Sequence, residues 1–144
     1  MTISWEVEAT ALTVERVRIV GQQRVTALVH AEAARHQGRA ELCTAWTRFA
    51  HLVEALAICG QVALRGAERY RDTSVSAMRR ELDALCRALA QDATDGAAYA
   101  ERGGVRTSVA AARAEVKLTD ALTSALSAQL DVIEHLQRGG AFGG

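Results

Sequence analysis

Four histidines, His30, His36, His51 and His135, and three cysteines, Cys43, Cys59 and Cys86, are the side chains best suited to hold a metal or act as a nucleophile. A metal centre inside a helical bundle needs Glu-x-x-His pairs, because residues three apart share one helix face. The chain has none: Glu32 and His36 are four apart, and Glu134 and His135 are adjacent. His51 follows Phe49 by two positions, which turns it away from the face that Phe49 occupies and makes it a surface residue. The cysteines are odd in number and lack Cys-x-x-Cys spacing, so they fit neither a disulfide framework nor a zinc site and are expected to be reduced core or flanking residues. Cys59 beside Gly60, and Cys86 between Leu85 and Arg87, have no neighbouring base that would activate a thiolate. Gly103-Gly104-Val105 ahead of a helix could offer amides to an anion, but it lacks the GxxxxGK and GxGxxG patterns of phosphate loops. The expectation is a protein that is not an enzyme and carries no catalytic, metal or cofactor site.

The elements that carry these residues follow from composition and period. A chain of 144 residues fits one domain. Its 49% apolar content exceeds what disorder allows, while aromatics are only 4% and proline is absent. With 29 alanines, this composition specifies helix around a small aliphatic core. Seventeen basic side chains balance seventeen acidic ones, so no global field attracts polyanions. Met1–Glu8 lacks the basic and apolar runs of a Sec signal, and no stretch of ~18 uninterrupted apolar residues occurs. The chain is therefore expected to be cytoplasmic or exported by a non-Sec route, without membrane insertion.

Four helical stretches emerge. The first, about Trp5 to His36, steps through Val7, Ala11, Val14, Val17, Gly21, Val25 and Leu28, widened by Leu12, Ile19 and Val20, and is closed by Gly38. The second, Leu42 to Tyr70, carries two uncharged seven-residue series: Leu42, Phe49, Leu56, Ala63, Tyr70 and Trp46, Val53, Gly60, Ala67. Large residues lead and small ones follow, which predicts a close approach at the later end. The register slips at Asp72-Thr73-Ser74, a set of helix-capping residues, so a third helix is placed from about Thr73 to Gln91, with a continuous bent helix as the alternative. Its apolar series is Val75, Met78, Leu82, Leu85, Leu89. Residues 92–104, with Asp95-Gly96 and Gly103-Gly104, read as a loop. The fourth helix, about Val105 to Arg138, presents Ala112, Thr119, Leu126 and Ile133 at sevens. Short linkers at about 37–40, 72–74 and 92–104 predict antiparallel neighbours. The fold class is all-α, an elongated antiparallel bundle of about four helices. One domain covers 1–138 (hairpin 5–72, helix pair 73–138), followed by a disordered Gly-rich tail at 139–144. So thin a bundle is expected to complete its apolar cover by pairing with a protein partner or a second copy, through Trp46, Phe49, Val53, Leu56 and Tyr70.

Charge is uneven. Residues 61–90 hold six arginines against four acids, and Arg65, Arg69, Arg79, Arg80 and Arg87 form a candidate face for anions or nucleic acid. Sixteen arginines to one lysine fit the usage of a GC-rich genome as well as phosphate contacts do, and a solvated face is the ordinary outcome of such small imbalances, so nucleic acid is not the expected partner.

The stretch Leu42-Cys-Thr-Ala-Trp46-Thr-Arg-Phe49, an Ala-rich run, and Gly66-Ala-Glu-Arg-Tyr70-Arg-Asp-Thr-Ser74 resembles the second helix of the small ESX (type VII) secreted helical-hairpin proteins of actinobacteria. The resemblance covers Met1 to about Ser76. It implies a hairpin that pairs with a partner hairpin, and an export signal formed by Tyr70, Asp72 and Ser74. In the family an acid lies four residues after the tyrosine; here that position is Ser74, and Trp46 is followed by Thr47-Arg48 where the family has Trp-x-Gly. Two functions remain in view: a non-enzymatic interaction protein, an ESX substrate or companion acting by helix–helix pairing, and a cytosolic helical subunit or adaptor whose Arg-rich face contacts nucleic acid.

Overall fold

The structure, a computed structural model, consists of α1 (Thr2–His36), α2 (Ala40–Cys59), α3 (Val75–Gly103) and α4 (Arg106–Phe142). It describes residues 2–60, 62, 70–103 and 106–142, with side chains described outside 2–13, 106–108 and 140–142, and no strand occurs among the described residues. Helices of 35, 20, 29 and 37 residues extend about 52, 30, 44 and 56 Å at a rise of about 1.5 Å per residue. The fold is an all-α, elongated bundle, as the periodicities indicate.

The first turn is built as the residues dictate. Gly38 adopts φ 73°, its N–H bonds to the Arg35 carbonyl at 3.1 Å, and the Arg39 N–H reaches back to Ala34 at 2.9 Å. This is a Schellman closure, which needs a residue without Cβ at that φ. It folds α2 back antiparallel to α1. Three cross-links then orient α4 antiparallel to α2: Arg39 donates to the Leu136 carbonyl and Gln129 to the Ala45 carbonyl, both at 2.9 Å, and Cys59 Sγ lies 3.4 Å from Thr119 Oγ1. α3 packs on α4 and, more loosely, on α1, while α2 and α3 sit diagonally.

Several expectations are corrected. α2 ends at Cys59, with Gly60 as its cap, so the seven-residue series does not run on to Tyr70; Ala63 and Ala67 lie outside the described residues and Tyr70 is not helical. The connection from α2 to α3 is correspondingly long, residues 60–74. Gly60 sits level with Leu89, whereas Thr73 lies beside His30 at the other end, so the chain returns about 20 Å and α2 and α3 run parallel. Bundles with one long crossover have this up, down, down, up order. The expected loop at 92–104 is helical through Gly103: Ala93, Ala97, Ala98 and Ala100 outweigh Gly96, and Ala93 is buried. Gly104 and Val105 lie outside the described residues. α4 continues past Arg138 to Phe142, where a tail was expected; Gly143 and Gly144 are outside the described residues.

α1 turns only part of the expected stripe inward. Ile19, Val20 and Gly21 are buried and Val17 packs against the core, but Val14 and Leu28 are exposed, and the buried face continues through Gln23, Thr26, Ala27, Ala31 and Ala34. Small alanines there admit the bulk of Trp46 and Phe49 from α2, a large-against-small match. The side chains of Val7 and Ala11 are outside the described residues. By contrast Val75, Met78, Leu82, Leu85 and Leu89 are all buried, and α3 starts where the capping residues place it: Ser74 Oγ accepts from the Ala77 N–H at 3.2 Å. Gly60 realises the predicted close approach, since a Cβ there would stand 2.8 Å from Leu89 Cδ2.

Candidate functional site

The α2 seam proposed to meet a partner is filled from within. Trp46, Phe49, Val53 and Leu56 are fully buried and belong to one cluster with Val20 and Ala27 of α1, Leu82 and Leu85 of α3, and Leu126, Leu130 and Ile133 of α4. Trp46 and Phe49 meet edge to face, centroids 5.9 Å apart. α2 has the length and mean hydropathy (1.2) of a membrane span, but these large residues serve the core.

Tyr70, the fifth residue of that proposed set, lies apart from it and is 44% exposed. It stands on the segment that leads into α3, and that segment is fastened to α1. Thr26 Oγ1 donates to the Arg71 carbonyl at 3.3 Å, the Arg71 guanidinium donates to Gln22 Oε1 at 3.1 Å, and His30 Nε2 lies 3.4 Å from the Thr73 carbonyl. The His30 ring stacks on Trp46 at 4.7 Å and receives Tyr70 edge-on at 6.1 Å. The Tyr70 hydroxyl reaches toward Asp72 Oδ1 at 3.5 Å, and desolvation together with that carboxylate holds the phenol above its ordinary pKa. Of the proposed export residues, Tyr70 and Asp72 therefore share one exposed corner, and Ser74 is occupied in capping α3. Gln22 and Thr26 escaped the sequence reading, and His30 was weighed there only as a metal ligand. Their signal is a polar i, i+4, i+8 series on one helix face, which looks like a solvated edge until the returning segment is known.

Of the arginines of the candidate anion face that are described, Arg79 turns to α4. Arg79 donates to Asp131 of α4 at 2.7 Å and to Ser127 at 3.2 Å, with Glu134 at 3.5 Å, so it joins α3 to α4. Arg80 and Arg87 are exposed, with Arg87 Nε bonded to the Asp83 carbonyl at 3.3 Å. Arg65 and Arg69 are outside the described residues. Ion pairs also fasten α1: Arg16 to Asp92 at 2.6 Å, Arg18 to Glu81 at 3.2 Å, and Arg24 to Glu54 of α2 at 2.7 Å.

Cys86 is buried, and desolvation raises its thiol pKa, with a bond to Thr123 opposing, so at neutral pH it is a protonated packing group. Cys43 and Cys59 are half-buried and free. His51 is exposed, as its offset from Phe49 predicts. Among the described residues no three His, Cys, Asp or Glu side chains converge in a metal-binding group. A cleft of about 490 Å³ separates the α1–α2 turn from the end of α4, lined by Arg39, Glu41, Leu42, His135 and Leu136. His135 has no nucleophile beside it in that lining, and the Arg39 guanidinium donates one hydrogen bond to the Leu136 carbonyl.

The fold and this corner together define a four-helix bundle with one crossover and an aromatic-acid pair at its surface. The chain matches no family model, no curated protein and no solved structure.

Proposed function

We propose that the chain is a non-enzymatic helical interaction protein, an ESX-type (type VII) secretion substrate or companion that leaves the cell by a non-Sec route and works through helix–helix pairing. The observation that carries this reading is the placement of Tyr70. A half-exposed aromatic ring beside Asp72, on a segment fixed to α1 by Thr26, His30 and Gln22, is a preorganised anchor for a receptor groove. Pre-fixing the backbone lowers the ordering cost that a flexible signal would incur on binding.

Tyr70→Ala is expected to abolish appearance of the protein in culture supernatants while the helical circular dichroism stays native. Normal export of that variant, or absence of the wild-type protein from supernatants, sinks the reading. The adaptor alternative draws support from Arg80 and Arg87, which are seven residues apart and exposed on one side of α3. It requires a salt-dependent shift with a short duplex or single strand that Arg80→Ala/Arg87→Ala weakens.

A further inference from the structure

α4 carries a second apolar face that the bundle leaves open. From Ala114 to Val132 the outward positions step by four and three, through Leu118, Ala121, Ala125 and Ala128, with no charge among them. Leu118 is 51% and Val132 45% exposed, although Leu126, Leu130 and Ile133 on the opposite side of the same helix are fully buried. This spacing is that of a helix seam, and the open face extends about 27 Å. The flanking positions just ahead of Leu118, Ala125 and Val132 are Lys117, Ser124 and Asp131, all exposed.

We propose that this face pairs two copies of the chain, α4 against α4, antiparallel about a two-fold axis beside Ser124. Two independent features are self-complementary under that one operator, as an isologous contact requires. The first is charge. With Ser124 facing itself, Lys117 of each copy meets Asp131 of the other, making two symmetric ion pairs. Asp131 already accepts from Arg79 of its own chain, but its side chain is 70% exposed and retains acceptor capacity for a lysine. The second is shape. The same register sets Leu118 against Ala128 of the second copy, Ala114 against Val132, and Ala121 against Ala125, so every large side chain meets an alanine. Alanine-lined layers allow two helices to approach to the near end of the about 8–10 Å range. A parallel pairing would instead place the two Lys117 side chains on opposite flanks of the seam, and the two Asp131 likewise, so that neither ion pair could form, and would stack Leu118 on Leu118. The proposal is independent of Tyr70: a Tyr70→Ala variant that is still exported would end the export reading and leave this interface untouched.

The test is light scattering of the full chain across a concentration series, with circular dichroism as the control for folding. The wild type is expected to be a dimer, and Leu118→Asp a monomer of unchanged helicity, since position 118 lies outside the core. Lys117→Asp and Asp131→Lys should each raise the dimer dissociation constant roughly tenfold or more, by turning two attractive pairs repulsive. Mixing these two variants should restore tight association as a heterodimer. In that heterodimer one ion pair keeps the original Lys117 and Asp131, and the other joins the introduced aspartate of one copy to the introduced lysine of the other. Ser124→Cys should cross-link to itself under oxidation, and Ala114→Cys should not. A wild type that stays monomeric throughout, a Leu118→Asp chain that remains dimeric, or a mixture that gains nothing over its components would overturn the proposal.

Discussion

An uncharged, heptad-spaced face on α2 and another on the outer side of α4 meet opposite fates. On α2, Trp46, Phe49, Val53 and Leu56 are sealed inside the bundle. On α4, Leu118, Ala121, Ala125 and Val132 carry the same spacing and stay outside. Period alone therefore shows that a helix face wants a neighbour, and does not say whether the neighbour belongs to the same chain. Side-chain size made the difference here. The α2 seam offers large aromatic and aliphatic groups, which contribute about 1.5–3 kcal/mol each on full burial, and so it claims the interior. The α4 outer face is mostly alanine, with little apolar area to hide, and folding can leave it in water.

The largest expected break in this comparison is Phe49→Ala. It should destabilise the chain by about 3–5 kcal/mol, because the site is fully buried and edge-on to Trp46. Leu118→Ala, a comparable truncation on the outer face, should move the stability of the monomer by no more than about 0.5 kcal/mol. Urea unfolding of the two variants at dilute concentration checks the pair, and equal losses would erase the distinction between the faces.

The glycines sharpen the same contrast at a smaller scale. At Gly60 an added Cβ meets Leu89 Cδ2 at 2.8 Å and Cδ1 at 3.0 Å, and Leu89 is itself buried. Gly60→Ala should cost about 1 kcal/mol as Leu89 is forced to turn. At Gly96, within α3 and with nothing within 4 Å, Gly96→Ala should stabilise by about 0.5–1 kcal/mol through helix propensity. Thermal unfolding should move in opposite directions for the two substitutions.

The smallest effect belongs to the surface. Two hydrogen bonds from Arg18, at 3.0 and 2.5 Å, lower the Glu15 pKa in the fold, with desolvation opposing. A carboxyl whose pKa is depressed by folding contributes stability above its unfolded value and loses it as pH falls through the folded one. Arg18→Ala should raise the titration midpoint of the Glu15 carboxyl, read from its NMR resonance against pH, toward the ordinary carboxylate range. No movement would show that this exposed pair is not formed in solution.

Much of the fold was legible because its causes are local. Gly38 ends α1 since only a residue lacking Cβ sits easily at φ 73°, and Ser74 starts α3 since its hydroxyl can take the Ala77 N–H. The interior series Val75 to Leu89 was plain from its spacing. The candidate site was legible only in part: Tyr70 and Asp72 stood out by type, whereas Gln22, Thr26 and His30 matter only because a distant segment returns to them.

The amino-acid sequence by itself determined the helical class, the turn at Gly38, the start of α3 and the apolar faces of α2, α3 and α4, since each depends on contacts within a few residues. Tertiary structure alone decided the rest. It set α3 parallel to α2 across the bundle, turned Ala27, Ala31 and Ala34 of α1 inward and Leu28 outward, tied Arg79 to Asp131, and left Leu118 and Val132 outside. Those outcomes depend on how bulk on one helix fits space on another, and a one-dimensional period does not encode that complementarity.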